Sequence, residues 1–148
     1  MDEIFAMRLK LEPMATELAV PRMTRADLEI LDMLASEVPH VAETPIKGHG
    51  NLYTSLNANF HREIARIAGN RRLEKTIHTL IDELVRVMLL LAYSSTIDQL
   101  LDQHSELLRV MRSGDAGAAA AVMYEQLSRD FELMRPLVLR TTGPLNLS

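Results

Sequence analysis

The sequence predicts an all-α protein, an antiparallel bundle of six to seven helices with a central cavity. Apolar residues recur with the 3.6-residue helical period along nearly the whole chain, and no segment alternates as a half-buried strand does. Residues that cap or break helices stand at the ends of the periodic segments. Polar residues interrupt the apolar helix faces at four positions, Asn57, His61, His104 and Gln126.

The composition is that of one globular domain with an aliphatic core. The chain has 148 residues, of which 47% are hydrophobic and only 4% aromatic, with nine Met and no Trp. Flexible Met side chains suit a core with irregular gaps or a cavity. The absence of Cys excludes a disulfide scaffold, a thiolate zinc site and a cysteine nucleophile.

The charge and hydropathy patterns exclude two classes of partner. The formal net charge is −4 and there is no long basic run, so we expect no direct nucleic-acid binding by this chain alone. The longest strongly apolar stretch, Val85 to Tyr93, is too short to cross a bilayer. Because the acidic N-terminus lacks a signal-peptide pattern, we expect a cytoplasmic protein without membrane contacts.

The first two helices are predicted from proline positions and a cap. The first runs from about Glu3 to Leu18, and Pro13 is expected to kink it because proline lacks a backbone donor. Thr24, with Asp27 three residues later, resembles a capping box and starts a second helix that ends near Glu37.

The middle of the chain is predicted to hold a loop and two helices. The segment Pro39–Gly50 contains two prolines and two glycines and is predicted to be the longest internal loop. A third helix follows from about Asn51 to Ala68 and ends at Gly69-Asn70, a pair suited to a left-handed C-cap. Arg71–Tyr93 is predicted to be the longest helix and to lie at the centre of the bundle.

The last two helices are predicted to form an antiparallel hairpin. One begins at Ser95 or Thr96 and ends at Ser113-Gly114, and Asp115 caps the other, which runs to about Arg135 before Pro136. The domain then covers residues 1–140, and residues 141–148 form a flexible tail.

Helix geometry brings the four interrupting polar residues together. His104 lies nine residues before Ser113 and Gln126 eleven after Asp115, so the two residues stand at about the same height in the hairpin. Asn57 and His61 are four residues apart and share one helix face. A buried polar group without a partner costs about 1–3 kcal/mol. Four such groups on apolar faces therefore indicate a ligand or metal cavity.

Two arginines also interrupt apolar helix faces. Arg8 lies on the first helix and Arg86 on the fourth. Each guanidinium either snorkels to the solvent or points into the cavity. Because guanidinium groups bind carboxylates bidentately, arginines inside a cavity would favour an acidic ligand.

Several motifs, taken in order, resemble the FCD domain, the C-terminal effector-binding and dimerisation domain of FadR-branch GntR transcription regulators. The motifs are Met7-Arg8-Leu9-Lys10-Leu11-Glu12-Pro13, Phe60-His61-Arg62, Ala68-Gly69-Asn70, His104, and Arg112-Ser113-Gly114-Asp115-Ala116. The resemblance implies a homodimeric, non-enzymatic domain that binds a small organic acid. It also implies a winged helix-turn-helix DNA-binding domain before this one. Because Met1 falls almost at the start of the FCD pattern, we expect that domain to be absent from this chain.

The resemblance also bears on metal binding. Many members hold a metal with an aspartate, a histidine four residues later and two further histidines; here these positions are Asn57, His61, His104 and Gln126. With two ligands replaced by amides, we expect zinc or nickel to bind weakly or not at all at His61 and His104. The organic acid is then expected to bind directly to Arg8, Arg86, the two histidines and the two amides.

Two other interpretations remain open. The chain is alternatively a purely structural dimerisation module with a vestigial site. A helical-bundle metalloenzyme is disfavoured, because such bundles supply several inward-pointing carboxylates and the four central positions here supply none.

Overall fold

The computed structural model describes residues 1–42, 49–91 and 104–141. These ranges contain six α-helices, one 3-10 turn at Val20–Arg22 and no strand, which confirms the all-α prediction. None of the helices in these ranges is both long and apolar enough to cross a membrane. The helices are α1 (Asp2–Ala19), α2 (Arg25–Ala42), α3 (His49–Ile67), α4 (Arg71–Leu91), α5 (His104–Ser113) and α6 (Ala116–Thr141).

The first helix is the central element of the bundle. α1 packs against α3, α4 and α6, whereas α2 lies on α3 and α5 lies on α6. The prediction that the fourth helix is central and longest is therefore wrong. α4 has 21 residues and α6 has 26, and α4 makes its main contacts with α1 and α3.

Two clusters of buried apolar side chains hold the helices together. The larger cluster centres on residues such as Phe60, Ile77, Leu107 and Met123 and joins α3, α4, α5 and α6 to the second half of α1. The smaller cluster lies at the N-terminal end of α1 and consists of Phe5, Leu56, Leu84, Met88 and Met134. Between the two, the buried face of α1 carries polar residues.

Local capping signals in the sequence correspond to real caps. The Asp27 amide donates to Thr24 Oγ1 over 3.2 Å, while the Thr24 amide donates to Asp27 Oδ2 over 2.9 Å, so the predicted box is formed with Asp in the place of Glu. Gly69 has φ of +71° at the end of α3. Asp115 Oδ1 accepts the Ala118 amide and caps α6 as predicted.

Two predicted helix breakers do not break their helices. α2 continues through Pro39 to Ala42, and α6 continues through Pro136 to Thr141. A proline inside a helix costs about 3 kcal/mol, which tertiary packing can outweigh. In α6 the buried Met134 packs in the smaller cluster just before Pro136. The predicted start of the fifth helix and residues 142–148 of the predicted tail lie outside the described residues.

Candidate functional site

Four buried polar side chains meet between α1, α3 and α5, and we call them the interior polar cluster. They are Arg8 and Glu12 from α1, His61 from α3 and His104 from α5, and none is more than 6% exposed. Such side chains are rarely buried so deeply unless they are paired.

Helix α1 presents Arg8 and Glu12 on the face that it buries. With Phe5, Ala15 and Ala19 they occupy the positions that the 3.6-residue period directs inward. Arg8 Nε–H donates to Glu12 Oε1 one turn away, and its guanidinium carbon lies 5.3 Å from the centre of the Phe5 ring. The pair therefore joins the polar part of the core to the smaller apolar cluster.

Glu12 also bonds to α3. Its Oε2 atom lies 2.6 Å from Nδ1 of His61, and the carboxylate is thus shared between two helices. Burial by itself raises the pKa of the Glu12 carboxyl, but the charge of Arg8, the interaction with His61 and their hydrogen bonds outweigh burial and lower the pKa to about 2. Glu12 is therefore an anion at physiological pH.

His104 completes the cluster from the N-terminal end of α5. Its ring stacks on Phe60 with 4.0 Å between ring centres, and it meets His61 edge-on with 5.5 Å between ring centres. Burial, reinforced by His61, lowers the pKa of His104 to about 3, so its imidazole is neutral at pH 7.

The two amides predicted for the site lie on the expected helices. Gln126 is buried on α6, with 4% exposure. Asn57 is half-buried on α3, one turn before His61. That these side chains and the interior polar cluster line a single ligand-sized cavity stays a prediction, since residues 92–103 before α5 lie outside the described ranges.

Arg86 does not join the cluster, and its predicted place in the pocket needs correction. The residue is exposed on α4, whereas the neighbouring Leu84 and Met88 are buried. Two residues correspond to about 200° of helical rotation, so Arg86 points away from the face that both neighbours bury. The apparent interruption of the apolar run is a solvent-facing position.

The sequence interpretation missed Glu12, the residue with the most polar contacts in the cluster. The signal was present: Glu12 follows Arg8 by four residues, on the face shared with Phe5 and Ala19. Ile4, Leu11 and Leu18, apolar residues of the same helix, are only partly buried. The site thus contains a carboxylate, but Arg8 already neutralises it.

The donor set of this site does not fit a resident metal ion. Of the family's four ligand positions, two carry amides, which are weak neutral oxygen donors. The nearby Glu12 carboxylate is held by Arg8 and by His61 Nδ1. In the described ranges, no group of three or more His, Asp or Glu side chains is arranged to hold a metal ion.

An open groove on α6 is a weaker candidate for a ligand site. It has a volume of about 410 Å³ and is lined by Tyr124, Glu125, Ser128, Arg129 and Glu132. These described lining residues come from one helix and the groove opens broadly to solvent, whereas ligand sites usually enclose their ligand with converging polar groups.

Comparison with known proteins agrees with the geometry. The FCD domain profile matches residues 3–129. The chain belongs to the FCD domain family. FCD domains are the regulatory, non-enzymatic domains of GntR-family transcription regulators.

The fold is similar to a solved structure of this kind. Escherichia coli McbR/YncC superposes with a TM-score of 0.80 at 20% sequence identity, over 91% of this chain and 67% of that chain. At this identity the similarity concerns the fold. No curated protein sequence matches the chain.

Proposed function

We propose that this chain is the effector-sensing and dimerisation domain of a GntR/FadR-type regulator and acts in the cytoplasm. The ligand is a small organic acid bound beside the interior polar cluster, with Asn57 and Gln126 as further contacts. One observation carries the proposal: the charged and polar side chains of the interior polar cluster meet in the core, and none of them is more than 6% exposed.

A buried imidazole of this kind favours a ligand. The neutral imidazole of His104 has one hydrogen-bond donor and one acceptor. A ligand with hydroxyl or carboxyl groups would satisfy them. Because His61 lies 5.5 Å away, measured between ring centres, the same ligand can meet both histidines.

Arg8 supplies the charge that an organic acid requires. Glu12 engages its Nε–H, and the guanidinium carries four further N–H groups that could bind a ligand carboxylate. Because Glu12 compensates the charge of Arg8, the site is stable without ligand, and an acidic ligand has to share the guanidinium with Glu12.

Regulation would follow from the helices that meet at the site. The cluster joins α1, α3 and α5, and Gln126 lies on α6, so a bound ligand would change how these helices pack. In a homodimer that also carries DNA-binding domains, such a change would alter the spacing of those domains. Coupling of this kind requires different effector affinities in the two arrangements.

Thermal unfolding with a panel of small mono-, di- and tricarboxylic acids tests the binding proposal. A ligand at 100 times its Kd stabilises the folded state by about 2.7 kcal/mol, which raises Tm by several degrees. We expect the increase in wild type and in Arg86→Gln, and its loss in Arg8→Gln. If no acid raises Tm, or if Arg8→Gln responds as Arg86→Gln does, the proposal is wrong, and the structural dimerisation module becomes the better interpretation.

The homodimer is tested separately by sedimentation equilibrium. We expect a dimer at micromolar concentration, since two-fold pairing is the commonest form of oligomer. A monomer that does not associate at higher loading would contradict this part of the proposal. For zinc and nickel we propose weak binding or none, as the donor set indicates.

A further inference from the structure

Glu12 has a role that charge balance with Arg8 does not explain. Its two carboxylate oxygens are used in different directions: Oε1 accepts from Arg8 on the same helix, and Oε2 lies 2.6 Å from His61 Nδ1 on α3. Both the Glu12 and the His61 side chains are almost fully buried, with 2% and 3% exposure, so water does not compete for this contact.

The chemistry of this contact decides where the His61 proton lies. A carboxylate that is ionised can only accept hydrogen bonds, so the ring nitrogen facing it must carry hydrogen. Which nitrogen of a histidine is protonated is set by the hydrogen bond that the other nitrogen makes or lacks. We infer that Glu12 is a positioning residue, which keeps the His61 proton on Nδ1 and leaves Nε2 as the ring nitrogen available to a ligand.

Arg8 takes part in this arrangement by fixing Glu12. The bond from Arg8 Nε–H holds the carboxylate in one rotamer and favours its ionised form. The His61 ring is therefore held from α1, in an orientation 71° from the plane of His104. The use of Nε2 by a ligand rests on the proposed function, whereas the position of the proton does not.

A Glu12→Gln variant should reverse the tautomer. Arg8 offers only donors, so the amide oxygen of Gln must face Arg8, and the amide NH₂ group then faces His61 Nδ1. An NH₂ group requires a lone pair on Nδ1, and this moves the His61 proton to Nε2. The matched control is Glu17→Gln, the same change at an exposed position of α1.

Nitrogen-15 NMR of the full chain with labelled histidine measures the tautomer directly. Spectra are recorded at about pH 8, above the ordinary histidine pKa of about 6.5, and His61 is assigned from the signals lost in His61→Gln. We expect a protonated Nδ1 in wild type and Glu17→Gln, and a protonated Nε2 in Glu12→Gln. A proton on Nε2 in wild type, or an unchanged tautomer in Glu12→Gln, overturns the inference.

Two further outcomes keep this test separate from the effector proposal. If Glu12→Gln does not fold, the wild-type spectrum alone decides, because it requires no variant. If no organic acid binds but the tautomers are as expected, the proposed function fails while the role of Glu12 stands. A merely structural role for Glu12 would change stability without changing the tautomer of His61.

Discussion

Removing Arg8 should destabilise the protein more than removing any exposed arginine does. In Arg8→Met the Glu12 carboxylate stays buried at 2% exposure and keeps only His61 as a charged or polar partner from another residue. The pKa of Glu12 is lowered from 4.5 to about 2, which corresponds to about 3 kcal/mol at pH 7, and Arg8 is the largest cause that lowers it. Breaking a buried pair from one side typically costs about 3–5 kcal/mol. We therefore expect a loss of about 3 kcal/mol in the free energy of unfolding.

The assay is urea unfolding followed by far-UV circular dichroism, because the chain has no Trp for fluorescence. Protein concentration is held constant, since dimerisation would shift the midpoint. The control is Arg86→Met, an exposed arginine on α4, which should change stability by less than about 0.5 kcal/mol.

The double variant Arg8→Met/Glu12→Leu separates the pair from its parts. Because the double variant removes both charges, its loss in the free energy of unfolding should be clearly smaller than the sum of the losses in the two single variants, although His61 Nδ1 then loses its acceptor. If Arg8→Met costs under about 1 kcal/mol, or if the single-variant losses simply add, the argument that this ion pair is a coupled buried unit is refuted.

Three further predictions concern pH, backbone conformation and metal. Between pH 6.5 and about 3, His104 binds fewer protons in the folded state than in the unfolded state, so the stability that is present above pH 6.5 is lost as the pH falls. Between about pH 7 and 5, the free energy of unfolding measured in urea should fall by roughly 2 kcal/mol more in wild type than in His104→Leu. Gly114 has φ of +80°, which L side chains rarely adopt, so Gly114→Ala should lower the stability derived from Tm by about 1–2 kcal/mol. Gly117 lies inside α6, and Gly117→Ala should raise the stability by about 0.5–1 kcal/mol. Equal effects of the two substitutions would contradict the argument from backbone conformation. The double variant Asn57→Asp/Gln126→His should retain zinc after dialysis against a chelator, as judged by elemental analysis, whereas wild type should not. If the double variant does not retain zinc, these positions do not share one site.

Signals that act within a few residues were predictable from the sequence. The capping pair Thr24 and Asp27, the left-handed turn at Gly69 and the cap at Asp115 all depend on atoms three or four positions apart. The family resemblance extended this to the arrangement of the helices. The burial of His61 and His104 also followed from periodicity, because each interrupts a long apolar face.

Features that depend on distant packing were not predictable in the same way. Whether Pro136 ends α6 is decided by the balance between one lost hydrogen bond and the packing around Met134. Arg8 and Arg86 interrupt apolar runs in similar ways, yet one is buried beside Glu12 and the other is exposed. Spacing does not distinguish them in the sequence, because Asp82 lies four residues before Arg86 just as Glu12 lies four residues after Arg8. Which of the two pairs is buried is decided by packing against the other helices.

The central position of α1 has a consequence for how the chain is made. Its most extensive contacts are with α6, about a hundred residues later, so most native contacts of α1 form between distant parts of the chain. During synthesis on the ribosome, the face bearing Phe5, Arg8 and Glu12 emerges long before the helix that covers it. Contacts of such high sequence separation form slowly. The buried face of α1 is therefore covered only after α6 has been synthesised, and until then its apolar surface is open to chaperones and proteases.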